Sequence, residues 1–150
     1  MVLWGHKTIA FLDFWTLEHI LSGVSVGMLS IYFSRYLLEH LQSPLHIQNG
    51  DFKKSVVTLH ITILLMLAFS WEMLEHYLET GLAGEGVEYW FQGVEHWSNR
   101  ILSDNIAILF GYFLGMRYPL IVWPARIMSI TWLYLHIFVF PHSMYLHDIF

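Results

Sequence analysis

The sequence predicts an all-α integral membrane bundle of about four transmembrane helices, and three observations carry that expectation. Of the 150 residues, 56% are hydrophobic and only 13% charged, and the mean hydropathy is positive, which is more apolar than a soluble domain of this size requires. The apolar residues fall in runs long enough to cross a roughly 30 Å hydrocarbon layer. Charged, Pro and Gly residues collect between those runs.

The first ten residues hold one base, Lys7, and no small-residue cleavage site, so the first span is expected to be retained. That span covers residues 12–34. Arg35, Glu39, His40 and Gln42 follow as a helix emerging into water, and Pro44 with Asn49-Gly50-Asp51 is expected to turn the chain. The second span, 54–79, begins after Lys53 and ends before Gly81, Gly84 and Gly86. Over residues 87–97, Val87, Trp90, Phe91, Val94 and Trp97 recur at helical spacing opposite Glu88, Gln92, Glu95 and Asn99, which predicts a short interfacial amphipathic helix. The third span, 99–117, closes on Arg117-Tyr118-Pro119. The fourth, 124–140, opens at Pro124, a residue suited to the first helical turn. All four belong to one transmembrane domain.

Arg35, Lys53, Lys54, Arg117 and Arg126 lie at one set of span ends against Lys7 and Arg100 at the other. The positive-inside rule then puts both termini and the 80–99 connection outside. A net charge of -5 with scattered bases excludes nucleic acid as a partner. With no cysteine, chemistry is left to oxygen and imidazole groups.

At about 100° per residue, Glu72, Glu75, His76 and Glu79 share one arc of the second helix. Carboxylates so close repel, so they must hold protons, bind a cation or meet a base; ionisable groups in a span suggest function. The plainer expectation is a solvated helix end. Arg100, Asp104, Ala107, Gly111 and Gly115 form a stripe on the third span. Packed on the second span, as a hairpin favours, this stripe would bring Arg100 and Asp104 to Glu72, Glu75 and His76. Its plainer role is packing alone.

Glu18-His19 and Glu95-His96 could complete a shell, and His19, Gly23, Gly27, Ser30 and Ser34 make the first helix a second small-residue stripe. Such oxygen and imidazole donors suit one divalent Mn, Fe or Zn ion, with Glu72 and His76 one turn apart as a ligand pair. His-Glu-x-x-His and a repeated Glu-x-x-His are both absent. His60 and His136, each alone in a span, are candidate ligands for haem or a pigment, although a packed histidine is the commoner finding. The many aromatic residues fit an interfacial belt. Gly-x-Ser-x-Gly is absent.

Trp71-Glu72, Glu75, the run Asn99 to Asp104, Gly111, Gly115 and Arg117-Tyr118-Pro119 resemble an uncharacterised family of small bacterial multi-pass membrane proteins, and more distantly VanZ-like membrane domains. The likeness covers residues 71–119. It implies that Glu72, Glu75, Asn99, Arg100 and Asp104 belong to one site in a bacterial inner membrane, and it specifies no reaction. His76 and residues 85–96 depart from the pattern.

The expected function is an outer-face site that binds a cation or a polar lipid headgroup. As an enzyme it would run a metal-assisted or acid-base reaction on a lipid or envelope precursor, with Glu72 or Glu75 as base and Arg100 as anion clamp. The alternative is an accessory or scaffolding subunit of a larger membrane complex, contacting pigment or haem. The bilayer is the first partner, followed by other membrane subunits or a second copy of the chain.

Overall fold

A computed structural model describes residues 1–45 and 49–150, and helix dominates it. Two short strands, β1 (Val2–Trp4) and β2 (Ala10–Leu12), pair in parallel through a compact loop. Helices α1 (Phe14–Leu45) and α2 (Asn49–Glu79) follow. Then come α3 (Glu85–Phe91), a π-helical turn (Asn99–Ser103) running into α4 (Asp104–Arg117), a 3-10 turn (Pro119–Ile121) running into α5 (Val122–Phe138), and α6 (Tyr145–Ile149).

Among the described residues, three helical segments are long and apolar enough to cross a membrane: Phe14–His40, Lys54–Glu79 and Pro119–Phe138. The third expected span falls short of that. Its α-helical part has 14 residues, about 21 Å at 1.5 Å per residue, and the turn before it carries Arg100. The turn expected between Pro44 and Asp51 centres on residues 46–48, which lie outside the described residues; α1 continues through Leu45 and α2 starts at Asn49.

The interfacial helix is also shorter than the periodicity over 87–97 suggests. Gln92 and Gly93 adopt positive φ, and the next amides leave the helical ladder: Glu95 N–H donates to Glu79 Oε2 at 3.1 Å and His96 N–H to the Lys7 carbonyl at 2.9 Å. A turn toward the site has replaced the last helical turn. Gly81, with φ 77, closes α2 in the left-handed conformation that ends many helices.

The small-residue stripe of α4 packs against α1, not α2, which corrects the hairpin expectation. A Cβ on Gly23 would land on the Ile108 carbonyl, one on Gly111 on the Ile20 carbonyl, and one on Gly27 at 2.7 Å from the Tyr112 ring. Both helices carry small residues at this crossing, so their backbones come together as glycine stripes allow. Over Lys54–Glu79, the part of α2 long and apolar enough to cross a membrane, there is no glycine to match. Helix α1 is therefore central, with α2, α4 and α5 around it. On its α5 side Val24 packs with Val122 and Ala125.

The distribution of polarity is inverted relative to a soluble domain. Among the described residues the interior holds Lys7, Asp13, Glu18, His19, Glu72, Glu79, Asn99 and Asp104. Leu67, Phe110, Phe113, Ile127 and Ile130 point outward. Both chain ends lie together, with Trp4 beside His147 and the Ser143 amide donating to the Trp90 carbonyl at 2.7 Å.

A buried carboxylate centre as the candidate functional site

The N-terminal segment forms the roof of the site. Asp13 precedes α1 and caps it reciprocally: Thr16 N–H donates to Asp13 Oδ1, and Asp13 N–H to Thr16 Oγ1, each at 3.1 Å. Its other carboxylate oxygen accepts from Asn99 Nδ2 at 3.1 Å, tying the start of α1 to the π-turn. Lys7, only 1% exposed, closes on Glu79.

Beneath that roof the π-turn presents Arg100. The Asp104 amide bonds to the Asn99 carbonyl, and this wider turn buries Asn99, Arg100 and Ser103 together with Asp104. Arg100 donates to Glu79 through Nη2 and to His76 Nδ1 through Nη1 at 3.0 Å. Nη2 also lies 3.4 Å from Glu95 Oε2, and Nε lies 3.8 Å from Glu72 Oε2. The guanidinium is thus the counter-charge of the cluster. As an anion clamp it would first have to leave Glu79 and Glu95.

His19 projects from α1. Its Nδ1–H donates to the Trp15 carbonyl at 2.9 Å, and Nε2 faces Glu72 Oε1 at 3.1 Å. In the neutral ring so oriented, Nε2 is a lone pair directed at a carboxylate oxygen, a contact that requires a proton or a metal ion between them. Asp104 is fully buried, and neither of its carboxylate oxygens has a hydrogen-bond partner among the described residues. His19 Nδ1 lies 3.6 Å from Asp104 Oδ1. Burial, followed by the fields of Asp104, Glu75 and Glu72, pushes the Glu95 carboxyl up to about 11.

Among the described residues, two groups have ligand atoms within 4.8 Å of one another: His19, Glu72 and Glu75, and Glu72, Glu95 and Asp104. The donor set of carboxylates and one imidazole suits Mn²⁺, Fe²⁺ or Zn²⁺. Other residues singled out in the sequence lie apart from these groups. His76 is exposed and turned to Arg100. His96 bonds Ser98 Oγ at 2.8 Å. Glu18 is buried on the far side of His19, accepting from Ser22 at 2.8 Å and from Ser129 of α5 at 2.7 Å.

His60 meets the Tyr112 hydroxyl at 3.4 Å in the helix core. His136 stacks on Trp15 at 4.1 Å, with Tyr145 edge-on at 5.0 Å, so aromatic side chains occupy both of these flanks. Neither histidine reaches the carboxylate centre.

Lys7 and Asp13 belong to the site and were missed by the pattern reading. Asp13 had a signal, an Asp-x-x-Thr capping pattern directly before an apolar run. Lys7 sits in a loop without periodicity, and only its isolation as a base among apolar residues marked it. No family model, curated protein or solved structure matches this chain.

Proposed function

We propose that this chain is a multi-pass membrane protein that binds a divalent metal cation in a closed site at one end of its bundle. The observation that carries this reading is Asp104, whose two carboxylate oxygens are buried without a donor among carboxylates already in excess of bases. A charge buried this way is costly unless it is paired or coordinates a metal. His19 supports the same reading, because a backbone carbonyl fixing one ring nitrogen is the usual second shell of a metal-ligating histidine.

Three apolar helices with outward-facing Leu, Ile and Phe support embedding in a bilayer. Arg35, Lys53, Lys54, Arg117 and Arg126 support an inner-membrane orientation with both termini outside. The closed surroundings favour an ion that fastens the N-terminal roof to α1, α2 and α4, since structural metal sites are enclosed and catalytic ones keep an open position.

A metal-assisted reaction on a lipid is the second reading, favoured by one feature. A cavity of about 240 Å³ lies among Glu18, His19, Ser22, Leu64, Ala68 and Leu133, so an apolar chain there would have its polar end beside His19. The deciding experiment is metal analysis of detergent-purified protein loaded with Mn²⁺ and freed of excess. Retained Mn²⁺ in the wild type and its loss in Asp104→Asn is the expected result. A wild type that retains none overturns the proposal.

A further inference from the structure

The site reads as a centre for two divalent cations bridged by the Glu72 carboxylate, and we propose that this pair of ions is its ligand; the inference rests on the cation-binding reading above. The two candidate groups share Glu72 and no other residue. Its two oxygens face different neighbours: Oε1 lies 3.1 Å from His19 Nε2, while Oε2 lies on the Arg100 side, 3.8 Å from Nε, and has no hydrogen-bond partner. A carboxylate shared by two ligand groups, with its oxygens directed to different neighbours, can bridge paired metals as acidic side chains do in helical bundles.

Charge balance is compatible with the same number. The centre holds six carboxylates, Asp13, Glu72, Glu75, Glu79, Glu95 and Asp104, and two permanent bases, Lys7 and Arg100, all buried. Glu79 takes contacts from both bases, and Asp13 is held by Asn99 and by its own helix start. Two bases offset two of the six acids, and the remaining four carboxylates carry four negative charges once ligation of metal displaces the protons they hold. Glu72, Glu75, Glu95 and Asp104 are the carboxylates of the two groups. Two divalent ions neutralise those four charges; one ion balances two of them and leaves the other two carboxylates to keep their protons.

The second, independent observation is the pair of oxygens on Asp104 together with Oε2 of Glu72, all inaccessible, all without a hydrogen-bond partner among the described residues, and all carried by residues of the second group. A single ion held by His19, Glu72 and Glu75 would satisfy none of the Asp104 oxygens. Two ions, one in each group, satisfy His19 Nε2 and the Asp104 oxygens together.

The test uses the full-length protein in detergent, titrated with Mn²⁺ as the probe, with bound metal counted by elemental analysis and its spectrum recorded by electron paramagnetic resonance. The expected result is two ions per chain with the hyperfine pattern of an exchange-coupled pair. Glu95→Gln should reduce the count from two to one and convert the spectrum to that of an isolated ion, and Glu75→Gln should do the same from the other side. Wild-type protein that binds one uncoupled Mn²⁺ overturns the pair but leaves the cation site standing. Two ions without coupling overturn the Glu72 bridge, and no bound ion overturns both proposals. The wild-type count and spectrum are decisive even where a variant fails to fold.

Discussion

Where α1 meets α4 around Gly23 and Gly111, the two backbones close on each other with small residues between them, whereas around His19 and Asp104 the same helices face each other through ionisable groups. The seam is specified by what is missing, because any Cβ at Gly23 or Gly111 would strike a carbonyl of the opposite helix. The polar end is specified by what is present, a set of acids that two bases only partly offset. Steric specification works without partners from elsewhere in the chain. Electrostatic specification recruits them, and so the N-terminal roof, α2 and the turn after Gly93 all reach into the polar end. The two regions should therefore fail differently.

The largest effect is expected at the charged end. Arg100→Met strips Glu79 and Glu95 of a buried counter-charge, and breaking a buried pair on one side costs about 3–5 kcal/mol. Thermal unfolding of the metal-free protein in detergent measures it. A melting temperature unchanged by Arg100→Met would mean that the carboxylates do not depend on this base.

The seam should give a smaller loss of purely steric origin. Gly111→Ala places a methyl on the Ile20 carbonyl, and such overpacking costs roughly 1–3 kcal/mol. It opposes the roughly 1 kcal/mol that Ala gains over Gly within a helix. Gly86→Ala in α3 is the control, since a Cβ there meets nothing within 4 Å. The same unfolding assay should show Gly111→Ala destabilised and Gly86→Ala neutral or slightly stabilised. Equal behaviour of the two would remove the steric account of the seam. Added Mn²⁺ should not rescue Gly111→Ala selectively, because the seam has no ionisable group to neutralise.

The same contrast governs how much could be read from the sequence. The long apolar helices were legible because length and composition are local properties, and Glu72, Glu75 and Glu79 share a face by helical period alone. The stripes on α1 and α4 were each legible as small-residue surfaces. Their mutual pairing was not, since spacing marks a surface without naming its partner, and adjacency along the chain favoured α2 instead. The polar end was legible only where it is helical. Lys7 reaches Glu79 across 72 residues of sequence, and the Glu95 amide turns inward because Gln92 and Gly93 break a helix that the apolar spacing would have continued. Neither event has a period. Asp13 lay between the two cases, with its capping pattern visible and its bond to Asn99 not.

The smallest expected effect lies outside both regions, where α6 returns to the N-terminal loop, and it sharpens the contrast because histidine is disfavoured there as a cation. His147 packs edge-on against Phe14 at 4.8 Å and lies 6.1 Å from the His6 ring. Burial lowers the His6 pKa from its ordinary value of 6.5, with His147 and Lys7 adding to the shift while Asp13 and Asp148 oppose it. Burial likewise lowers His147 against the opposing fields of Asp13 and Asp148. On this face Asp148 also pairs with His142 at 3.1 Å. With folded values depressed, the released segment binds more protons than the docked one as pH falls through about 6.5, so acidification favours release. The stabilisation is complete above the ordinary value and declines until pH passes below the folded values. Hydrogen-exchange protection of residues 145–149, corrected for the intrinsic pH dependence of exchange, should therefore fall between about pH 7.5 and about pH 5.5. His147→Phe should flatten most of that fall, since Phe keeps the edge contact with Phe14 and cannot charge. Protection that rises on acidification would mean that Asp13 and Asp148, and not burial, decide the charge of these rings.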